Sequence, residues 1–109
     1  MKVKINHTVY TIKELHEPHN EIEVDGDSTW GITVFSQGLI FIEKNLIPSV
    51  KRSTLIHELT HAHLMEYGLN HEHKTIEEVC DFMGAFADTI VQIADKYFGG
   101  EDVSKTKSK

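Results

Sequence analysis

Apolar and polar positions alternate along the first 45 residues and then switch to a helical beat after Pro48. Val3 and Ile5, followed after a polar break by Val9-Tyr10-Thr11-Ile12, predict one or two short strands. Glu21 to Val24 alternates again and stops at the turn-forming run Asp25-Gly26-Asp27-Ser28. Trp30-Gly31-Ile32-Thr33-Val34-Phe35 is β-branched and aromatic, Ser36-Gln37-Gly38 suits a tight connection, and Leu39-Ile40-Phe41-Ile42 follows. These two runs read as a β-hairpin. A small N-terminal sheet, antiparallel or mixed, is the expectation.

Beyond Pro48 the period is 3.6. Ser49 is the expected N-cap with Pro48 just outside it, Leu55, Leu59 and Ala62 recur on one face, and Gly68 supplies the stop. This predicts a helix over about 49–67. Thr75-Ile76-Glu77-Glu78 is a capping box, with Glu78 reaching back from the third helical position. Ile76, Val79, Met83, Phe86, Ile90 and Ala94 continue a second helix over about 76–98, up to Gly99-Gly100. The tail 99–109 is small, polar and charged, and is expected to be disordered. The expected fold class is therefore α+β, one domain over 1–98, with the sheet packed on two long helices.

Size and charge narrow the partners. At 109 residues the chain fits a single hydrophobic core. It has no apolar run near the roughly 20 residues that cross a bilayer, and no apolar segment behind the N-terminal lysines. No membrane partner is expected. A single cysteine, Cys80, makes a reducing, cytoplasmic setting the simplest expectation. Lys and Arg number 11 against 17 Asp and Glu, a net charge of −6, with no basic patch for a phosphate backbone. Nucleic acid is not an expected ligand. The anomaly is histidine: of eight, five fall between His57 and His73, which hints at a metal.

His57-Glu58-Leu59-Thr60-His61 is an HExxH motif. Four residues of helix advance about 400°, so both imidazoles project from one face within reach of one ion. Imidazole nitrogen suits Zn²⁺ at roughly 2.0–2.1 Å. Glu58, one position round, is placed to take a proton from a water on the metal without itself being a ligand. Apolar neighbours Leu55, Ile56 and Ala62 would bury the helix around the motif. An exposed helix with two solvated histidines is the plainer alternative.

Two ligands need a third. Glu77 would complete a His₂Glu set for one zinc per chain, leaving a fourth position for water. The capping box occupies Glu78 and leaves Glu77 available. Asp81, one turn on, can orient a ligating imidazole through its second N–H. Asp88 and Asp95 continue the same acidic stripe and read as solvated. His71 and His73, between the helices, compete for the third position, and with Tyr67 they are the candidate oxyanion donors. HExxHxxGxxH is excluded, because Leu64 and Tyr67 stand where that pattern has glycine and histidine. A di-iron bundle is excluded too, since no second ExxH accompanies Glu58-Leu59-Thr60-His61. His63 points away from the pair and reads as packing or surface. Cys80 reads as a buried small hydrophobe. His7, His16 and His19 receive no role.

The stretch from Trp30 to Ile90 resembles the small zincin metallopeptidases of the ImmA/IrrE type, common in phages and other mobile elements. The resemblance rests on Trp30-Gly31, Leu39-Ile40-Phe41-Ile42, the helix Thr54-Leu55-Ile56-His57-Glu58-Leu59-Thr60-His61-Ala62, and Glu77-Glu78-Val79-Cys80-Asp81-Phe82. The last is similar to the family's Glu-x-x-Ala-(Asp/Asn)-x-Phe-Ala, with Cys80 for alanine and Phe82 one residue early. The resemblance implies a near-minimal gluzincin-like endopeptidase, with His57, His61 and Glu77 on zinc and Glu58 as base. It implies a cytoplasmic protein or peptide substrate, such as a repressor of a mobile element, bound as an extended strand along the Trp30–Ile42 hairpin. The alternative is a catalytically silent module, zinc-stapled or zincin-derived, that acts by protein interaction alone.

Overall fold

The computed structural model describes residues 1–18, 30–69 and 74–99. Among these are four strands and two long helices, a small α+β fold. Two compact units divide the chain, residues 1–70 and 71–109. The alternating run Glu21–Val24, the turn Asp25–Ser28, His19, His71, His73 and the tail from Gly100 lie outside the described residues.

The first unit opens with β1 (Lys2–Ile5) and β2 (Thr8–Leu15), paired antiparallel. Their two-residue turn holds Asn6 at φ 56, a conformation asparagine tolerates better than most residues. The expected hairpin follows as β3 (Gly31–Val34) and β4 (Leu39–Glu43), joined by a short 3-10 turn, Phe35–Gln37. The sheet order is β1-β2-β4-β3, with β2 and β4 parallel at its centre. Register sets Ile12, Ile40 and Thr33 in one row across the sheet, and Glu14, Ile42 and Gly31 in the next.

Helix α1 (Pro48–Glu66) lies on that face, against β3, β4 and β1. Leu55, Leu59 and Ala62, the residues of the helical beat, are fully buried with Tyr10, Ile12, Ile40 and Ile42. Burying a leucine or isoleucine side chain contributes about 1.5–3 kcal/mol. The helix starts one residue earlier than the sequence predicts. Pro48 is its first residue and Ile47 the N-cap, with no side-chain cap, so Ser49 does not cap it. Proline suits that first position because its φ is preset and its missing N–H has no intrahelical partner to lose. Termination is as expected. Tyr67 is the C-cap and Gly68 follows at φ 72. Gly68 N–H donates to Met65 C=O and Leu69 N–H to Leu64 C=O, a complete Schellman pair.

The second unit is helix α2 (Ile76–Tyr97), and its capping box forms. Glu78 N–H donates to Thr75 Oγ1 at 3.1 Å, and Thr75 N–H to Glu78 Oε1 at 2.8 Å. The apolar stripe is buried unevenly. Phe82, Ile90, Ile93 and Ala94 are buried, whereas Ile76, Val79 and Met83 are exposed. Cys80 is exposed as well, against the expectation of burial, because it falls in the opening turns of the helix, where Ile76 and Val79 are exposed too. No helix of the described residues is long and apolar enough to cross a membrane.

Candidate metal centre

His57 and His61 occupy one face of α1, a turn apart, flanking the side that packs on the sheet. Their Nε2 atoms converge to 3.2 Å, with the ring planes at 74° and the ring centres 4.8 Å apart. Two nitrogens each about 2.05 Å from a tetrahedral ion stand about 3.3 Å apart, so this separation fits a shared cation. The two nitrogens can equally share one proton when no ion is bound. His57 is exposed and His61 half-buried, which leaves the pair reachable from outside.

Glu58 turns a further 100° round the helix and enters the interface with β3, where it is 2% exposed. Thr33 Oγ1 donates to Glu58 Oε1 at 2.6 Å and lies 3.3 Å from the Glu58 carbonyl oxygen. The other carboxylate oxygen, Oε2, is buried without a hydrogen-bond partner. An unpaired buried acceptor costs about 1–3 kcal/mol, more when charged, so such an atom calls for an explanation. The slot that holds it depends on Gly31. A Cβ there would stand 2.9 Å from Glu58 Cγ, 2.9 Å from Glu58 Oε2 and 2.9 Å from Thr54 Cγ2. Only a residue without a side chain lets the carboxylate lie under β3. The sequence marks Gly31 as a glycine inside a β-branched run, but nothing in it singles out Thr33.

The other candidates are placed as follows. Glu77 and Asp81 are exposed, a turn apart on α2. Among the described residues no three His, Cys, Asp or Glu side chains are gathered to hold a metal; of the expected ligands, His57 and His61 are the two that come together. Tyr67 stacks its ring on His63, centres 6.3 Å apart and planes within 13°, on the flank of α1 away from the pair. His63 is a packing residue, as expected from its position. It is 2% exposed, its Nδ1 stands 2.8 Å from Leu59 C=O, and burial holds its pKa below the ordinary imidazole value. Two acidic anchors were not legible in the sequence. Glu66 closes the end of α1 onto β2, accepting from Tyr10 Oη and Thr8 Oγ1, each at 2.7 Å. Glu43 is buried at the end of β4.

No family model, curated protein or solved structure matches the chain.

Proposed function

We propose that this chain is a zincin-like metallopeptidase hydrolysing peptide bonds in a protein or peptide substrate. The observation that carries the reading is the His57–His61 convergence at 3.2 Å, on the same helical turn as a buried carboxylate with one unpartnered oxygen. A solvated pair of surface histidines has no need of a glutamate buried beside it. His57 and His61 would hold the ion, and Glu77 is the third ligand the sequence offers, with His71 or His73 as its rivals. Asp81 would orient a ligating imidazole. Zinc, when bound, supplies the Lewis acidity that polarises a carbonyl and lowers the pKa of water. Glu58 is the general base: Oε2 takes the proton of the attacking water and returns it to the leaving amine.

Substrate alignment falls to β3. Glu43 N–H donates to Trp30 C=O, so Trp30, Ile32 and Val34 direct their backbone groups at β4. Thr33 directs its backbone groups the other way, to the side of β3 that has no neighbouring strand among the described residues. β1, the opposite edge, carries Lys2 and Lys4, a common block to strand addition, whereas Gly31–Val34 carries no charge. An uncharged edge beside Glu58 supports binding of an extended peptide.

The test is elemental analysis of the purified chain and of His57→Ala, Glu77→Ala and Glu58→Gln. One zinc per chain is expected in the wild type and in Glu58→Gln, and loss is expected in both alanine variants. Retention in Glu77→Ala would move the third ligand to His71 or His73. Hydrolysis should fall by about 10²-fold or more in Glu58→Gln with metal content unchanged. Unchanged hydrolysis would remove Glu58 as base, and a biological effect that survives the loss of hydrolysis would favour the interaction module.

A further inference from the structure

Thr33 and Gly31 both meet Glu58 from the same strand, and they treat its two oxygens differently. We infer that Thr33 is a positioning residue for the proposed base, its hydroxyl engaging Oε1 so that Oε2 is left as the proton acceptor. The inference rests on the metallopeptidase reading of the His57–His61 centre. A free glutamate side chain can turn its carboxylate and exchange the two oxygens. Here rotation is opposed on both sides. Oε1 holds a 2.6 Å bond from Thr33 Oγ1, and the carboxylate lies against the Gly31 backbone, with Oε2 only 2.9 Å from where a Cβ would be. Thr33 is β-branched, which restricts its χ1 in a strand and holds the hydroxyl in place. Its backbone belongs to the edge assigned to the substrate, so one residue links substrate alignment to the orientation of the base. A base held in one orientation loses little to reorganisation when it meets the reacting proton.

Acetohydroxamic acid is a suitable probe, because it chelates zinc through two oxygens and presents a proton to a neighbouring carboxylate without being cleaved. Its affinity for the zinc-loaded chain is measured by calorimetry for wild type, Thr33→Val, Thr33→Ser, Glu58→Gln and the Thr33→Val/Glu58→Gln double variant. Zinc uptake is followed by competition with a chromophoric chelator, and folding by circular dichroism. Thr33→Val, which keeps the shape and removes the hydroxyl, is expected to weaken the hydroxamate about tenfold at unchanged zinc uptake. Thr33→Ser, which restores the hydroxyl, should return to within about twofold of wild type. In the Glu58→Gln background Thr33→Val should add no further loss. Should Thr33→Val fail to fold, Thr33→Ser against Thr33→Ala gives the same hydroxyl comparison. Wild-type affinity in Thr33→Val, or an equal loss in the Glu58→Gln background, overturns the positioning role and leaves the metal centre standing. Zinc uptake that is absent in wild type, or unchanged in His57→Ala, overturns the centre and the inference with it. So does a Glu58→Gln variant that binds the hydroxamate as wild type does.

Discussion

Glu43 shows how a single carboxylate becomes structural. Its oxygens accept the backbone N–H groups of Glu17 at 2.7 Å and Asn45 at 2.9 Å, and the His16 imidazole lies 3.3 Å away. The two backbone bonds, with a smaller contribution from His16, hold its pKa below the ordinary carboxyl value. A depressed folded-state pKa means that the unfolded chain takes up the proton first. The stabilisation is therefore fully present above the ordinary glutamate range and is lost as pH falls through the folded value. Urea unfolding across pH 3 to 6 should show Glu43→Gln less stable than wild type at the upper end, with the difference shrinking toward pH 3. A difference constant with pH would mean that the carboxylate charge is not what the two loops use. Nothing in local sequence distinguishes Glu43 from an exposed acid at a strand end. Its role exists only because residues 26 positions upstream and 2 downstream close on it.

At the scale of elements, local chemistry carries most of the outcome. The helices expected over about 49–67 and 76–98 form as Pro48–Glu66 and Ile76–Tyr97. Caps explain why the boundaries are legible: Pro48, Gly68, Thr75 and Glu78 act through neighbours within four residues. Gly68 is the clearest case, since φ 72 places it where a side chain meets its own carbonyl. Gly68→Ala should cost about 1 kcal/mol, read as a lower urea midpoint, with faster amide exchange at Leu69. Protection at Leu69 equal to wild type would show that the Schellman bonds do not need glycine. Burial along α2 was less legible. A periodic stripe states which residues share a face, not how much of that face is covered, and Ile76 at 81% exposure lies on the same stripe as the buried Ile90.

For the molecule as a whole, strand order and long-range anchors were decided by folding. The sequence predicts the β3–β4 hairpin, joined by a short connection, but over Val3–Ile12 only one or two short strands, whose antiparallel pairing as β1 and β2 the structure supplies. The parallel pairing of β2 with β4 has no local signal, because β3 intervenes between them in the chain. The same holds for the tie between the first hairpin and the end of α1. Tyr10 is fully buried, and burial together with the Glu66 carboxylate holds its phenol above the ordinary range, so it stays a donor. Tyr10→Phe should cost about 1–2 kcal/mol by leaving Glu66 Oε2 short of a partner, measured as the shift in unfolding free energy. A neutral result would mean that water replaces the hydroxyl there.

Sequence alone determined the α+β class, the two helices and the shared face of His57 and His61, because each depends on φ/ψ preferences and spacings within a turn or two. Tertiary structure alone decided that Glu58 is buried, that Thr33 engages one of its oxygens and Gly31 makes room for the other. Those contacts join residues some 25 positions apart across a strand and a helix. Periodicity tells which way a side chain faces, and only packing supplies what it meets.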